Sequence, residues 1–224
     1  MPLSALPLSE QMILTAAALI LFTSFLLLAQ TRIVTLIHTF AWQGGLLFVA
    51  TVLVALTSGR HHLLISALMT LGLKVIFIPW QLRRLVVRLD IRREVETVGS
   101  SSLIMIGAGA LVLFSYYVAL PIRELSLLAT RNTIAVSLAV ILIGMLMIIT
   151  RRKAVAQVIG FMSMENGLFF AAVAATYGMP MVVELGVAFD VMVAAILFGI
   201  FFFQIRSGFG SLNVDRLNRL NEVD

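Results

Sequence analysis

Glu165 stands near the centre of an apolar run from Ala154 to Tyr177, and Asp190 near the centre of the next, Met181 to Phe203. Lys74 holds the same kind of place in an earlier run. A charge at the middle of a bilayer costs roughly 2.5–3.5 kcal/mol on insertion scales. Acids at similar depth on consecutive spans, with a base on another, are the groups that ion or proton handling needs. Loss of water favours the neutral form of acid and base alike, whereas an acid and a base in reach of each other favour the charged forms of both. A set balanced between these tendencies can store and relay charge with little structural change. Glu165, Asp190 and Lys74 are therefore the proton-relay candidates. A plainer reading stands beside it: Glu165 or Asp190 pairs with Lys74 only to allow insertion and fix the packing.

Other polar groups surround this set. Gln43 lies at mid-depth, and Gln43 and Asn166 read as interhelical hydrogen-bond residues or as polar support for a relay. Glu184 lies nearer the outer end of its span and reads as a solvated interfacial acid or as a relay or polar-support residue. It is six residues from Asp190, roughly 120° around a helix, so the two do not share one partner directly. His38, near the inner end of its span, His61 and His62 read as interfacial, with His38 also a candidate for relay or polar support, and their spacing supports no haem pair. Gly107, Gly109, Ala195 and Gly199 read as small packing residues.

The elements that position these groups are membrane helices. Hydrophobic residues make up 61% of the chain and charged ones 12%, about half the charge of a soluble domain. The fold class is all-α and polytopic, with about seven spans: 11–29, 33–57, 62–81, 102–120, 132–150, 154–177 and 180–205. Each is close to the ~20 residues that cross the hydrocarbon. The absence of cysteine excludes iron–sulfur ligation, covalent haem attachment and disulfides in this chain, so any redox centre belongs to a partner. The net charge of +5 reads as a topology signal, not as a nucleic-acid footprint. Arg32, Arg83, Arg84, Arg88, Arg92, Arg93, Arg151, Arg152, Lys153, Arg206, Arg216 and Arg219 fall on one side if the spans alternate; the other side receives Arg60, Arg123 and Arg131. The positive-inside rule then puts the N-terminus outside and the C-terminus in the cytoplasm. The start lacks the basic residues of a cleavable signal, so the first apolar run is expected to stay as a span. Trp80, Tyr116, Tyr117 and Tyr177 lie at span ends as an aromatic belt. The tail, 207–224, carries Val214, Leu217 and Leu220 at helical spacing, for the membrane surface or for a partner.

The chain also echoes itself. Laid on Val158–Phe170, the stretch Leu36–Phe48 puts Gln43 on Glu165, Gly45 on Gly167, Leu46 on Leu168 and Phe48 on Phe170. The third and seventh spans end in Gln81-Leu-Arg83 and Gln204-Ile-Arg206. This predicts a parallel repeat of three helices: 1–82 as a diverged first block, 83–131 as a basic loop with a connecting helix, and 132–206 as the second block.

Gln157-Val-Ile-Gly-Phe-Met-Ser-Met-Glu165-Asn-Gly-Leu and the ending Gly210-Ser-Leu-Asn-Val-Asp215-Arg-Leu resemble the K subunit of bacterial complex I and the C subunit of multisubunit cation/proton antiporters. In that family two adjacent helices bear intramembrane acids in a proton path. Glu165 matches the first acid; Asp190 matches the second by placement, with Asp where the complex I subunit has Glu. Over nearly the whole chain, two such blocks with a connecting span look like the component E family of hydrogenase-4. Phe40-Ala-Trp-Gln43, Leu73-Lys74-Val-Ile-Phe-Ile-Pro79, Met164-Glu165-Asn166-Gly167 and Val183-Glu184-Leu-Gly-Val-Ala-Phe-Asp190 carry that resemblance.

The resemblance implies a subunit in the inner membrane of a formate-hydrogenlyase-type complex. It implies antiporter-like membrane subunits, a membrane anchor subunit and soluble hydrogenase subunits as partners. No cofactor is expected in this chain; the nickel–iron centre and iron–sulfur clusters would sit on those partners. The rival readings are a subunit of a cation/proton antiporter without a redox partner, and a non-conducting anchor of a membrane enzyme.

Overall fold

The computed structural model describes residues 8–59, 62–88, 95, 97–125 and 131–176, with 192 and 199 as single positions. All regular structure among them is helical: α1 (Leu8–Ala29), α2 (Ile33–Ser58), α3 (His62–Thr70), a π-helical segment (Leu71–Phe77), α4 (Ile78–Arg88), α5 (Ser101–Leu125), α6 (Arg131–Thr150) and α7 (Ala154–Thr176). Inside hydrocarbon each backbone N–H and C=O must find its partner within the segment, which leaves these apolar runs little but helix.

Six stretches are long and apolar enough to cross a bilayer: Glu10–Ala29, Ile33–Thr57, Leu63–Arg84, Ser101–Leu120, Thr133–Thr150 and Ala154–Val173. The protein is an all-α polytopic membrane protein. The seventh span expected over 180–205, with Asp190 and Glu184, lies outside the described residues except at positions 192 and 199, and the tail and His61 lie outside them altogether.

Two helical hairpins form the centre. α1 packs on α2 and α6 on α7; across the hairpins, α1 meets α6 and α2 meets α7, so helices running the same way face each other. α5 lies against α6 and touches α1, while the third span (α3, the π segment and α4) lies against α2. Phe40 and Phe170 are among the largest fully buried side chains.

Glycine sets the α6–α7 distance. A Cβ on Gly144 would sit 2.6 Å from the Met164 backbone nitrogen, and one on Gly167 would sit 2.9 Å from Ile141 Cγ1 and 3.1 Å from the Ser137 carbonyl. Gly107 and Gly109, read from the sequence as packing residues, have open space where a Cβ would stand. They lie on α5, whose span is the least buried of the six. The close packing falls instead on the best-covered pair of helices.

One end of the bundle is strapped by the loop after α4. The Val95 N–H donates to the Thr31 carbonyl at 2.6 Å, Val98 N–H to the Thr150 carbonyl at 2.8 Å, and Thr97 bridges to Arg151. Arg151 reads in sequence as a topology signal but is 2% exposed. Its guanidinium donates to the Leu27 carbonyl at 3.4 Å and to that of Leu28, capping carbonyls in the last turn of α1. It also lies at the negative end of the α1 dipole. Burial pulls the Arg151 pKa below the usual arginine value. The Gln157 side chain in turn donates to the Arg151 carbonyl at 2.8 Å.

Candidate functional site

The third span reads in sequence as one plain helix, yet Leu71–Phe77 is π-helical. Pro79 follows it and has no N–H to send to the carbonyl four residues back. Just ahead of it the hydrogen-bond ladder runs wide, with the Ile78 N–H on the Leu73 carbonyl. Lys74 lies in this segment. Its backbone comes close to α2 at Gly44, where a Cβ would stand 3.3 Å from Val75 Cγ2 and 3.4 Å from Lys74 Cβ. The bare glycine admits the segment.

From there Lys74 reaches α7. Its Nζ donates to Glu165 Oε2 at 2.7 Å, and the side chains of the pair are 6% and 8% exposed. The pair ties the third span to α7. Phe169, one turn beyond Glu165 on the same face of α7, puts its ring 5.2 Å from Lys74 Nζ, a cation–π contact. The second carboxylate oxygen, Glu165 Oε1, is buried without a hydrogen-bond partner among the described residues.

Beside the pair runs a chain of neutral groups. Asn166 Nδ2 donates to Gln43 Oε1 at 3.2 Å, Gln43 Nε2 to Ser24 Oγ at 2.8 Å, and Ser24 Oγ to the Ile20 carbonyl at 3.0 Å. It crosses α7, α2 and α1, and all three side chains are fully buried. Asn166 Oδ1, next to Glu165, is also buried without a partner among the described residues.

Of the residues singled out in sequence, the structure thus joins Lys74 to Glu165 and Gln43 to Asn166. His38 stands apart: it is exposed, at the strapped end of α2, and accepts from Arg83 through Nε2. Asp190 and Glu184 lie outside the described residues. Sequence reasoning missed Ser24, Gly44 and Phe169. A serine in an apolar span was a signal for the first, and the i+4 spacing from Glu165 for the last. No group of three or more metal-ligating side chains occurs among the described residues.

The chain is 30% identical over 209 residues to the uncharacterized protein Rv0085 of Mycobacterium tuberculosis, covering 92% of this chain and 94% of that one. The chain belongs to that protein's family. A more limited similarity reaches hydrogenase-4 component E of Escherichia coli (strain K12): 29% identity over 113 residues, 50% of this chain and 52% of that protein. Hydrogenase-4 component E of Shigella flexneri matches to the same extent. The matched stretch covers about half the length of these hydrogenase-4 relatives. No family model and no solved structure matches it.

Proposed function

We propose that this chain is an integral membrane subunit of a complex I-like, membrane-bound hydrogenase in the inner membrane, and that Glu165, Lys74 and Asp190 serve its proton path. The observation that carries this is the buried Lys74–Glu165 pair. Each member sits near the middle of a span, where an unused charge would be lost to selection. The half-length similarity to hydrogenase-4 component E supports the choice of complex. The Met-Glu-Asn-Gly stretch around Glu165 resembles the acid-bearing helix of the complex I K subunit. The soluble hydrogenase module, with its metal centres, and the antiporter-like subunits would be partners. In this reading the strapped end bearing Arg32, Arg83, Arg84 and Arg152 faces the cytoplasm, and blocks 1–82 and 132–206 are copies of one three-helix unit.

Coupling would be electrostatic. A proton arriving at Glu165 Oε1 neutralises the carboxylate and weakens its hold on the Lys74 ammonium. A charge change on a neighbouring subunit tips the same balance. Gln43 and Asn166 would hold α2 and α7 in the register that lets the pair meet.

A second reading is favoured by the closure of the pair itself. Two charges that satisfy each other need do no more than let their helices insert, and the chain would then anchor an enzyme without conducting. One experiment separates the two. The tagged chain is purified in mild detergent, its partners are identified, and nickel and iron are assayed. The intact complex carrying Glu165→Gln is then compared with wild type for hydrogenase turnover and proton translocation in vesicles. Turnover kept with translocation lost is the expected result. Both kept favours the anchor. Antiporter-like partners without metal point to a cation/proton antiporter. A chain that purifies alone sinks the multisubunit readings.

A further inference from the structure

At the strapped end of the third span, α4 carries Trp80, Arg83 and Arg84 as the helix leaves the hydrocarbon. Both arginines are exposed. Neither has a carboxylate partner among the described residues. Arg83 lies on the His38 ring of α2, and Arg84 lies 5.3 Å over the Trp80 ring. Each guanidinium thus lies against a ring and is left without a counter-anion among the described residues. Arg83, with one of its five N–H groups on His38, keeps donors to spare.

Below them, toward the membrane centre, the same span exposes apolar surface at Trp80 (54%) and Ile76 (62%). Apolar surface under paired guanidiniums, at the depth where a span ends, matches the chemistry of a phospholipid. The phosphate meets the arginines, the glycerol backbone the tryptophan and an acyl chain the surface beneath.

We propose that this end of α4, with His38 of α2, is a binding surface for an anionic phospholipid, held by its phosphate between Arg83 and Arg84. Charge complementarity and depth argue for lipid over an acidic protein segment: the arginines close a membrane span, and the surface below them is apolar and exposed. The inference does not depend on the proposed hydrogenase role.

The test uses the full chain in detergent, titrated with phosphatidylglycerol or phosphatidylcholine, with bound lipid counted by native mass spectrometry. A basic residue near an anionic lipid surface is worth about fivefold in affinity. The double variant Arg83→Ala/Arg84→Ala is therefore expected to lose roughly thirty-fold for phosphatidylglycerol, with phosphatidylcholine unchanged. Arg32→Ala/Arg152→Ala removes two other exposed arginines from the same end and is expected to leave the preference in place. If the first double variant does not fold, the single variants carry the test at about fivefold each. Equal loss in both double variants would reduce the surface to general positive charge and overturn the site. So would equal binding of the two lipids by wild type, or an unchanged preference in Arg83→Ala/Arg84→Ala. Loss of a co-purifying acidic protein with lipid binding intact would assign the surface to that protein instead.

Discussion

The centres of α2 and α7 face each other and solve one problem in two ways. The internal alignment lays Gln43-Gly44 of α2 on Glu165-Asn166 of α7. In α2 the polar group is neutral, and its partners are close: Ser24 on the other helix of its own hairpin and Asn166 across the contact with α7. In α7 the group is a carboxylate, and its partner comes from the third span, which packs on α2. Gly44, at the position aligned with Asn166, is where the lysine-bearing segment comes in. A neutral amide in a bilayer can be satisfied by what its neighbours offer, whereas a carboxylate needs an opposite charge. The structure brings that charge from another span through a π-helical turn.

The largest expected effect breaks the charged side of the comparison. Lys74→Met strands Glu165, and removing one member of a buried pair costs about 3–5 kcal/mol. Replacing both, as Lys74→Met/Glu165→Leu, is expected to return most of that stability, because no unpaired charge remains. Thermal unfolding in detergent reads all three variants, with Glu165→Leu as the other single. A double variant as unstable as the sum of the singles would mean that the pair is not energetically coupled.

Glycine gives the next contrast. Gly45 and Gly167 are aligned, yet a Cβ at Gly45 meets nothing within 4 Å, while one at Gly167 runs into Ile141 and Ser137. Gly144, facing α7, is tighter still: its Cβ would stand 2.6 Å from the Met164 backbone. Backbone cannot step aside as a side-chain end can. Gly144→Ala is expected to cost about 1–3 kcal/mol as overpacking, and Gly45→Ala to stay within about 0.5 kcal/mol. The melting temperatures should separate accordingly. Equal effects would mean that the hairpins pack alike and that the α6–α7 closeness is not what holds them.

How much of this was legible follows from the bilayer. Its thickness fixes span length, so all six described spans and the central depth of Glu165, Lys74 and Gln43 could be read from hydropathy. Which acid meets Lys74 could not. Hydropathy gives Glu165 and Asp190 the same central place in their apolar runs, and the choice depends on helix rotation, which apolar sequence leaves open. Leu71–Phe77 carries no residue that announces a π turn; Pro79 and Gly72 hint at irregularity but not at its kind. Arg151 looked like every other loop arginine, because its partners are the Leu27 and Leu28 carbonyls, and backbone acceptors leave no mark in sequence. The glycines of α5 and α6 likewise look alike until the helices are placed.

The smallest expected effect tests the neutral side. Gln43→Leu removes the acceptor of Asn166 and the donor to Ser24 while keeping the volume close. Hydrogen bonds between membrane helices are worth about 0.6 kcal/mol on average and up to about 1.7. The loss should therefore be well below that of Lys74→Met. Adding Asn166→Leu should cost little more, because the two amides no longer leave each other unpaired. The amides also touch the site: Asn166 follows Glu165 directly, so a slipped α2–α7 contact would shift the carboxylate from Lys74. If Gln43→Leu destabilises as strongly as Lys74→Met, the amide chain holds the ion pair together, and the two helices share one polar unit in place of two independent solutions.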